Sequence, residues 1–296
     1  ARTHPVDQCA TAVSEGGQLS YQLDILSAVG LPRPLVTLAI PVLAIAMLLI
    51  IAAVPARTQP VDQCATAVSE GEELSDQLDI LSWNIQKASN TGWDQDLAAL
   101  SGGVNLAFIQ EASIQASIPA VLAGPLYQAF AQGYTTAEYE TGVMTLSSSS
   151  PSLSCQFTSW EPWLGTPKAT SVTEFPLAGR PERLLAINVH AVNFAWGLEE
   201  FRGQFRALRD LLARHEGPVI LAGDLNTWSQ ERQALVDEFA TEYGLAAVTF
   251  KPDLRSTVFG RALDHIYIRG MHTVAARVVP VATSDHNPLL VRLALN

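Results

Sequence analysis

Short apolar runs that each end in a chemically capable polar residue constrain this chain more than any other feature. Residues 78–84 end in Asn84, 104–111 in Glu111, 184–190 in His190 and 218–224 in Asp224. Runs of this length and apolarity are expected of buried strands, with functional groups carried at their tips. Residues 141–146, 154–159 and 169–175 read as further strands. From Ala262 onward the pattern is two strands joined by a turn near Gly270, then a third after Pro288.

Helices are fewer. Residues 198–215 form an amphipathic pattern, with Leu198, Phe201, Phe205, Leu208 and Leu212 on one face. Arg202, Arg206 and Arg209 read as its solvated side. Residues 230–243 read as a second helix, and a short helical stretch lies between the first two strands. Strands thus outnumber helices in a mixed α/β domain. Several strands in succession argue against a simple doubly wound sheet. Two packed sheets with helices outside fit better.

The N-terminal part has a different character. No charged residue occurs from Pro34 to Ala56, and Leu35 to Val54 is almost continuously apolar. At roughly 1.5 Å per residue, that stretch could cross a bilayer core of about 30 Å. Arg33 precedes it, and Val54-Pro55-Ala56 resembles a small-residue cleavage site. The expectation for 29–56 is a secretory signal peptide or a membrane anchor, which places the rest on the exported, periplasmic or extracellular side. Residues 1–27 recur almost unchanged as 56–82, at an offset of 55. Only the second copy continues into Trp83-Asn84. Residues 1–28 are therefore read as an added extension, with true duplication as the rival reading. Residues 57–76 are read as a linker and 77–296 as the catalytic domain.

Charge narrows the partners. Net charge is −11 over the whole chain, and the segment from Gln77 onward carries 15 basic and 21 acidic residues. No run of Lys or Arg stands out. That argues against a protein that coats nucleic acid by neutralising phosphates, but not against a metal-dependent nuclease, because a bound cation supplies local positive charge. No protein partner is evident. Of the three cysteines, Cys64 and Cys155 could form a disulfide in an exported domain or remain separate thiols, and none shows C-x-x-C spacing.

Two motifs near the C-terminus carry chemistry. Gly223-Asp224-Leu225-Asn226 is followed by Ser284-Asp285-His286-Asn287-Pro288. An Asp can hold a hard cation or take a proton from water, Asn can orient that water, and His can stabilise negative charge. With Ser82-Trp83-Asn84-Ile85, Ile109-Gln110-Glu111, Asn188-Val189-His190 and Leu263-Asp264-His265-Ile266, they form six motifs in order. In that order they resemble the endonuclease/exonuclease/phosphatase superfamily, over residues 78–293.

The resemblance implies a four-layer α/β/β/α sandwich of two packed mixed sheets flanked by helices, with the site at one edge of the sheets. It implies metal-assisted hydrolysis of a P–O ester, with Mg²⁺ or alternatively Mn²⁺ held by Glu111, with Asn84 beside it as ligand or phosphate contact and Asp285 near the metal. Asp224 would activate water and Asn226 would hold it. His286 would stabilise phosphoryl charge, with Asp264 fixing its tautomer, and His190 would contact phosphate or assist the leaving group. Gln86 departs from members that carry an Asp there, which puts a second metal in doubt. His265 reads as a strand residue rather than a catalyst. Lys168 reads equally as a phosphate contact or a surface lysine. Trp83, Trp196, Trp228 and Phe194 lie near the site in sequence and could form an apolar rim, with a core position favoured for Trp83 and equally open for Trp196. The substrate stays open between nucleic acid, phospholipid and a small organic phosphate. A silent envelope binding domain on the same fold is the alternative, and the intact polar set argues against it.

Overall fold

The computed structural model describes residues 63–67, 72–122, 127–161, 165–193 and 197–296. The apolar segment, the first copy of the repeat, Cys9, Phe194 and Trp196 fall outside the described residues. No helix among the described residues is long and apolar enough to cross a membrane.

In chain order the strands are β1 (Gln63–Thr66), β2 (Gln77–Asn84), β3 (Leu106–Ser113), β4 (Tyr127–Thr135), β5 (Glu140–Ser147), β6 (Leu153–Trp160), β7 (Pro167–Pro176) and β8 (Arg183–His190). They continue as β9 (Val219–Asp224), β10 (Ala246–Ala247), β11 (Thr257–Val258), β12 (Arg261–Ala262), β13 (Asp264–Arg269), β14 (Met271–Val278) and β15 (Leu289–Leu295). The α-helices are α1 (Trp93–Leu100), α2 (Glu199–Arg214) and α3 (Gln230–Glu242). The expected strands and helices are therefore present. β4 and the short strands had no clear signal in the sequence: β4 mixes Gly and Gln into its run, and strands of two residues show no period.

Two sheets carry the fold. One has the order β1-β6-β7-β8-β9-β13-β10 and the other β14-β15-β2-β3-β5-β4. Each is antiparallel except for one central parallel pair, β8 with β9 and β2 with β3. Their facing surfaces bury Leu78, Ile80, Leu106, Phe108, Leu184, Ala186, Ile220, Ala222 and Ile266 in one cluster. Outside the first sheet, Leu185, Ile187, Val189 and Leu221 pack on Phe201, Phe205 and Leu208 of α2 and on Phe239 of α3. Outside the second, Leu81, Trp83 and Ile109 pack on Leu97 of α1. This is the expected helix–sheet–sheet–helix arrangement.

Strand parity decides which polar groups reach the space between the sheets. Alternate residues of a strand point to opposite faces. On β2, Leu78 and Ile80 face the other sheet, so Ser82 and Asn84 do too. On β8 and β9 the same count from Leu184 and Ile220 puts His190 and Asp224 on the inner face. Asp264 shares the parity of Ile266 on β13. The functional tips thus continue the apolar inner face past the end of the core.

Parity also decides one reading. Trp83 is a core residue, the reading the sequence favoured. It lies on the helix side of β2, is 1% exposed, and donates its indole N–H to the backbone carbonyl of His286 at 2.9 Å. Cys64 and Cys155 are directly paired across β1 and β6 and form a disulfide. Arg202, Arg206 and Arg209 are at least half exposed, as expected of a solvated helix face.

Candidate active site

Glu111 would point toward the helix layer if β3 ran on without interruption. It does not, because the register of β3 against β5 shifts between Ile109 and Ala112, and Glu111 adopts φ +50°. A bulge of this kind re-aims a side chain beside a site. Gln110 keeps the inner face and donates to Asn188 Oδ1 at 2.8 Å, while Glu111 turns until Oε1 is 3.9 Å from His190 Nε2.

Asp224 is the focus of the polar groups. Its Oδ2 accepts from Asn84 Nδ2 at 3.1 Å and lies 3.6 Å from His190 Nε2 and 3.8 Å from His286 Nε2. Its Oδ1 accepts from the Asn226 backbone N–H at 3.0 Å. Gly223, just before it, is the one residue type that fits: at φ +140° an added Cβ would stand 2.0 Å from the Val189 carbonyl oxygen on β8. Asn226 donates its side-chain N–H to the Ala191 carbonyl at 2.9 Å.

The C-terminal motif is clamped to the end of β2. Ser284 Oγ donates to the Asn84 carbonyl at 2.7 Å and accepts from the His286 N–H at 3.1 Å. His286 Nδ1 then reaches Asp264 Oδ2 at 2.7 Å, leaving Nε2 turned toward Asp224.

Charge follows from these contacts. Burial opposes the charged form of His286, but the carboxylates of Asp264, Asp224 and Asp285 outweigh it and raise the imidazole to about 10. Burial raises the Asp224 carboxyl, with the His286 charge pulling the other way. His190 is lowered by burial and by Lys168, His286 and Lys87. Lys168 Nζ is 2.9 Å from His190 Nε2. An ammonium can only donate, so that ring nitrogen accepts and His190 is neutral with its proton on Nδ1.

All eight site residues expected from the sequence lie in one region. Asn84, Glu111, His190, Asp224, Asn226, Asp285 and His286 line a single cavity of about 660 Å³, and Asp264 stands behind His286. The donor set suits a hard cation, because Glu111, Asp285 and Asn84 offer oxygen ligands on that wall. Oxygens of Asp224 and Asp264 and a ring nitrogen of His286 also lie within 4.8 Å of one another. The 2.7 Å Asp264–His286 contact is the geometry of a shared proton.

Sequence reading left Lys168 open between phosphate contact and surface, and missed several groups on or behind this wall. Lys168 is no surface lysine; its side chain is 17% exposed and lines the cavity. Lys87 approaches Glu111 Oε2 to 3.7 Å. Asn193 accepts from the Trp228 indole at 2.8 Å, and its backbone N–H donates to buried Glu161 at 2.7 Å. Arg232 is 1% exposed, donates to the carbonyls of Val192, Asn193 and Asn226, and lies 4.6 Å from both the Phe201 and Trp228 rings. The Asn193 position, three residues after His190, is the signal that could have been read. His265, as expected, is a strand residue off the cavity, bonded to Thr227 Oγ1 at 2.7 Å.

Five of the seven non-glycine residues with positive φ among the described residues line this cavity: Gln86, Lys87, Glu111, Asn226 and Phe259. Left-handed backbone costs of order 1 kcal/mol or more at a non-glycine residue and concentrates where function requires it.

Two facing mixed sheets with a His–Asp pair, a bulged glutamate and a buried aspartate at one edge define a phosphoesterase-type sandwich. The chain belongs to the Endonuclease/Exonuclease/phosphatase family, whose sequence profile matches residues 81–286. Members of that family are generally phosphoesterase hydrolases that depend on a divalent metal. A UPF0294 protein of Vibrio vulnificus (strain YJ016) is 37% identical over 220 residues, covering 74% of this chain and 77% of its own length. Among solved structures, an endonuclease/exonuclease/phosphatase of Bacteroides vulgatus superposes with a TM-score of 0.59 at 16% identity, over 74% of this chain and 99% of that one. A mannosyl-6-phosphatase of Bacteroides thetaiotaomicron superposes at 0.55 and 17% identity, over 74% and 100%.

Proposed function

We propose that this protein is an exported, divalent-metal-dependent hydrolase of phosphate esters. The observation that carries the reading is the Asp264–His286 bond of 2.7 Å, with Nε2 aimed toward an Asp224 that Asn84 and Asn226 orient.

Asp224 removes a proton from the attacking water. Its burial raises its basicity above that of an exposed carboxylate, and its two orienting bonds fix the direction of attack. His286 holds its proton on the side facing the reacting phosphoryl group and donates to a non-bridging oxygen as charge grows there. Asp264 keeps that ring charged and in register. Asn226 positions the water beside Asp224. His190 is neutral, and its Nε2 accepts from Lys168. Together they face the leaving oxygen. Glu111, with Asn84 and Asp285, would hold Mg²⁺ or Mn²⁺, which when bound supplies positive charge to balance the phosphoryl oxygens.

Two features support the exported reading. The Cys64–Cys155 disulfide suits an oxidising compartment, and the apolar stretch 35–54 suits a signal peptide or anchor.

The test is hydrolysis of p-nitrophenyl esters, single- and double-stranded DNA, RNA, sphingomyelin and inositol phosphates, each with Mg²⁺, with Mn²⁺ and with EDTA. Metal-dependent turnover on at least one ester is expected. Its absence across the panel would return the chain to the silent binding-domain reading.

A further inference from the structure

The catalytic cavity opens in two directions. Beyond Asp224 it runs out under Trp228, Leu263, Val258 and Phe259. On the opposite flank, a second recess of about 340 Å³ shares Lys87, Glu111, Lys168 and His190 with the first and continues to Tyr134, Thr141 and Pro167. The groups proposed to act on phosphorus thus stand in the middle of a trough rather than at the bottom of a pit.

The first arm is apolar and built. Phe259 sits at the tip of the β11–β12 hairpin, 84% exposed, with φ +51°. Its left-handed backbone costs free energy, and its exposed ring gains nothing from burial in return. Its ring meets Trp228 edge-on at 6.4 Å between centroids. Trp228 is itself pinned, by its bond to Asn193 and by the Arg232 guanidinium. Val258 beside the tip is also exposed. An apolar patch on the rim of a polar site is a surface for a ligand.

We propose that this trough selects a phosphodiester over a phosphomonoester, and that Trp228 and Phe259 receive an apolar group on the arm that stays attached to phosphorus. The inference rests on the phosphoesterase reading and adds the substrate class. In an in-line displacement the leaving oxygen departs opposite the attacking water. Water held by Asp224 therefore drives the leaving arm toward Glu111, His190 and Lys168, into the second recess. The P–O bond to that arm breaks as the bond from water forms; Asp224 takes a proton from the water, the leaving oxygen takes one from the Lys168 ammonium beside His190, and the retained arm keeps the phosphate. The retained arm exits along Phe259. A monoester has one arm and would leave one recess empty.

Three substrates with one leaving group test this with the full chain and Mg²⁺: phenyl p-nitrophenyl phosphate, methyl p-nitrophenyl phosphate and p-nitrophenyl phosphate. The expected order is phenyl diester over methyl diester by tenfold or more in kcat/KM, with the monoester lowest. Phe259→Ala should cut the phenyl-to-methyl ratio to about threefold or less, and Phe259→Tyr should restore it. Preference for the monoester, or a ratio unchanged in Phe259→Ala, overturns this inference alone. No metal-dependent turnover of any ester overturns the phosphoesterase reading and this inference with it. A dinucleoside monophosphate and dihexanoyl phosphatidylcholine then separate nucleoside from lipid as the source of the apolar arm. The substrate whose turnover falls at least fivefold in Phe259→Ala is the source, and no fall on either counts against the proposal.

Discussion

His286 Nδ1 and Asp264 Oδ2 lie 2.7 Å apart, both buried, on a loop and a strand tip that are 22 residues apart in sequence. A carboxylate this close keeps the imidazole charged and fixes which nitrogen carries the outward proton. Asp264→Asn should remove the charge and keep the shape. The imidazole, raised to about 10 in the native site, then titrates lower. The active form is protonated, so activity is lost as pH rises through its pKa. The alkaline limb of kcat/KM should move to lower pH, and the rate near neutrality should fall about 10²-fold or more. A pH–rate profile identical to wild type would refute this role.

Metal dependence should appear in stability as well as in turnover. Mg²⁺ bound only by the folded protein raises its stability by about 2.7 kcal/mol at a hundred times Kd. Thermal unfolding with and without EDTA reads this directly. Glu111→Gln should weaken the shift and require at least about tenfold more metal for half-maximal activity, since loss of a ligand charge should cost no less than loss of an outer-shell partner. An unchanged metal titration in that variant would remove Glu111 from the site.

His265 contributes to the pH dependence of stability alongside the other buried imidazoles, His190 and His215. Burial and the Arg255 guanidinium lower it to about 4. Arg255 can only donate to Nδ1, at 3.2 Å, so the neutral ring carries its proton on Nε2 toward Thr227. The unfolded chain binds this proton near pH 6.5 and the folded chain does not until about 4. Stability is therefore complete above pH 6.5 and falls between 6.5 and 4, by about 3 kcal/mol at the acid end. Urea unfolding at pH 7, 5.5 and 4.5 should show a shallower decline for His265→Gln than for wild type.

Arg232 should behave as a keystone. Its guanidinium donates to three loop carbonyls and is packed between two aromatic rings. Burial lowers it, to about 10, against the pull of Glu161 and Asp224, so it stays charged at neutral pH. Arg232→Met removes the bonds and leaves buried carbonyls without donors, at a cost of about 3 kcal/mol. Differential scanning calorimetry should show the loss, and activity should fall even where the variant is fully folded. A variant as stable and active as wild type would show the loops to be held by other contacts.

The fold and most of the site were legible because both rest on local patterns. Apolar runs mark buried strands by their composition, and a polar residue closing each run reports a strand tip. Those signals located Asn84, Glu111, His190 and Asp224 without any knowledge of neighbours, and the order of the motifs added Asp264. Other features are nonlocal. A bulge depends on how β3 registers against β5, so the turn that brings Glu111 into the cavity leaves no mark in its own segment. Arg232 looks like a surface residue in sequence, and Lys168 reads equally as surface or phosphate contact, because burial of a cation depends on carbonyls and rings from other elements. The exposed ring of Phe259 is likewise a matter of what does not cover it.

By itself, then, the sequence determined the mixed two-sheet class, the order of the polar tips and the family they resemble, since strand periodicity and composition act over a few residues. Only the tertiary structure decided that Trp83 faces the helices, that Cys64 meets Cys155, that His286 is charged while His190 is neutral, and that the cleft is open on two sides. Each of those depends on distances between segments brought together by folding, and electrostatic and packing energies are set by distance in space rather than by separation along the chain.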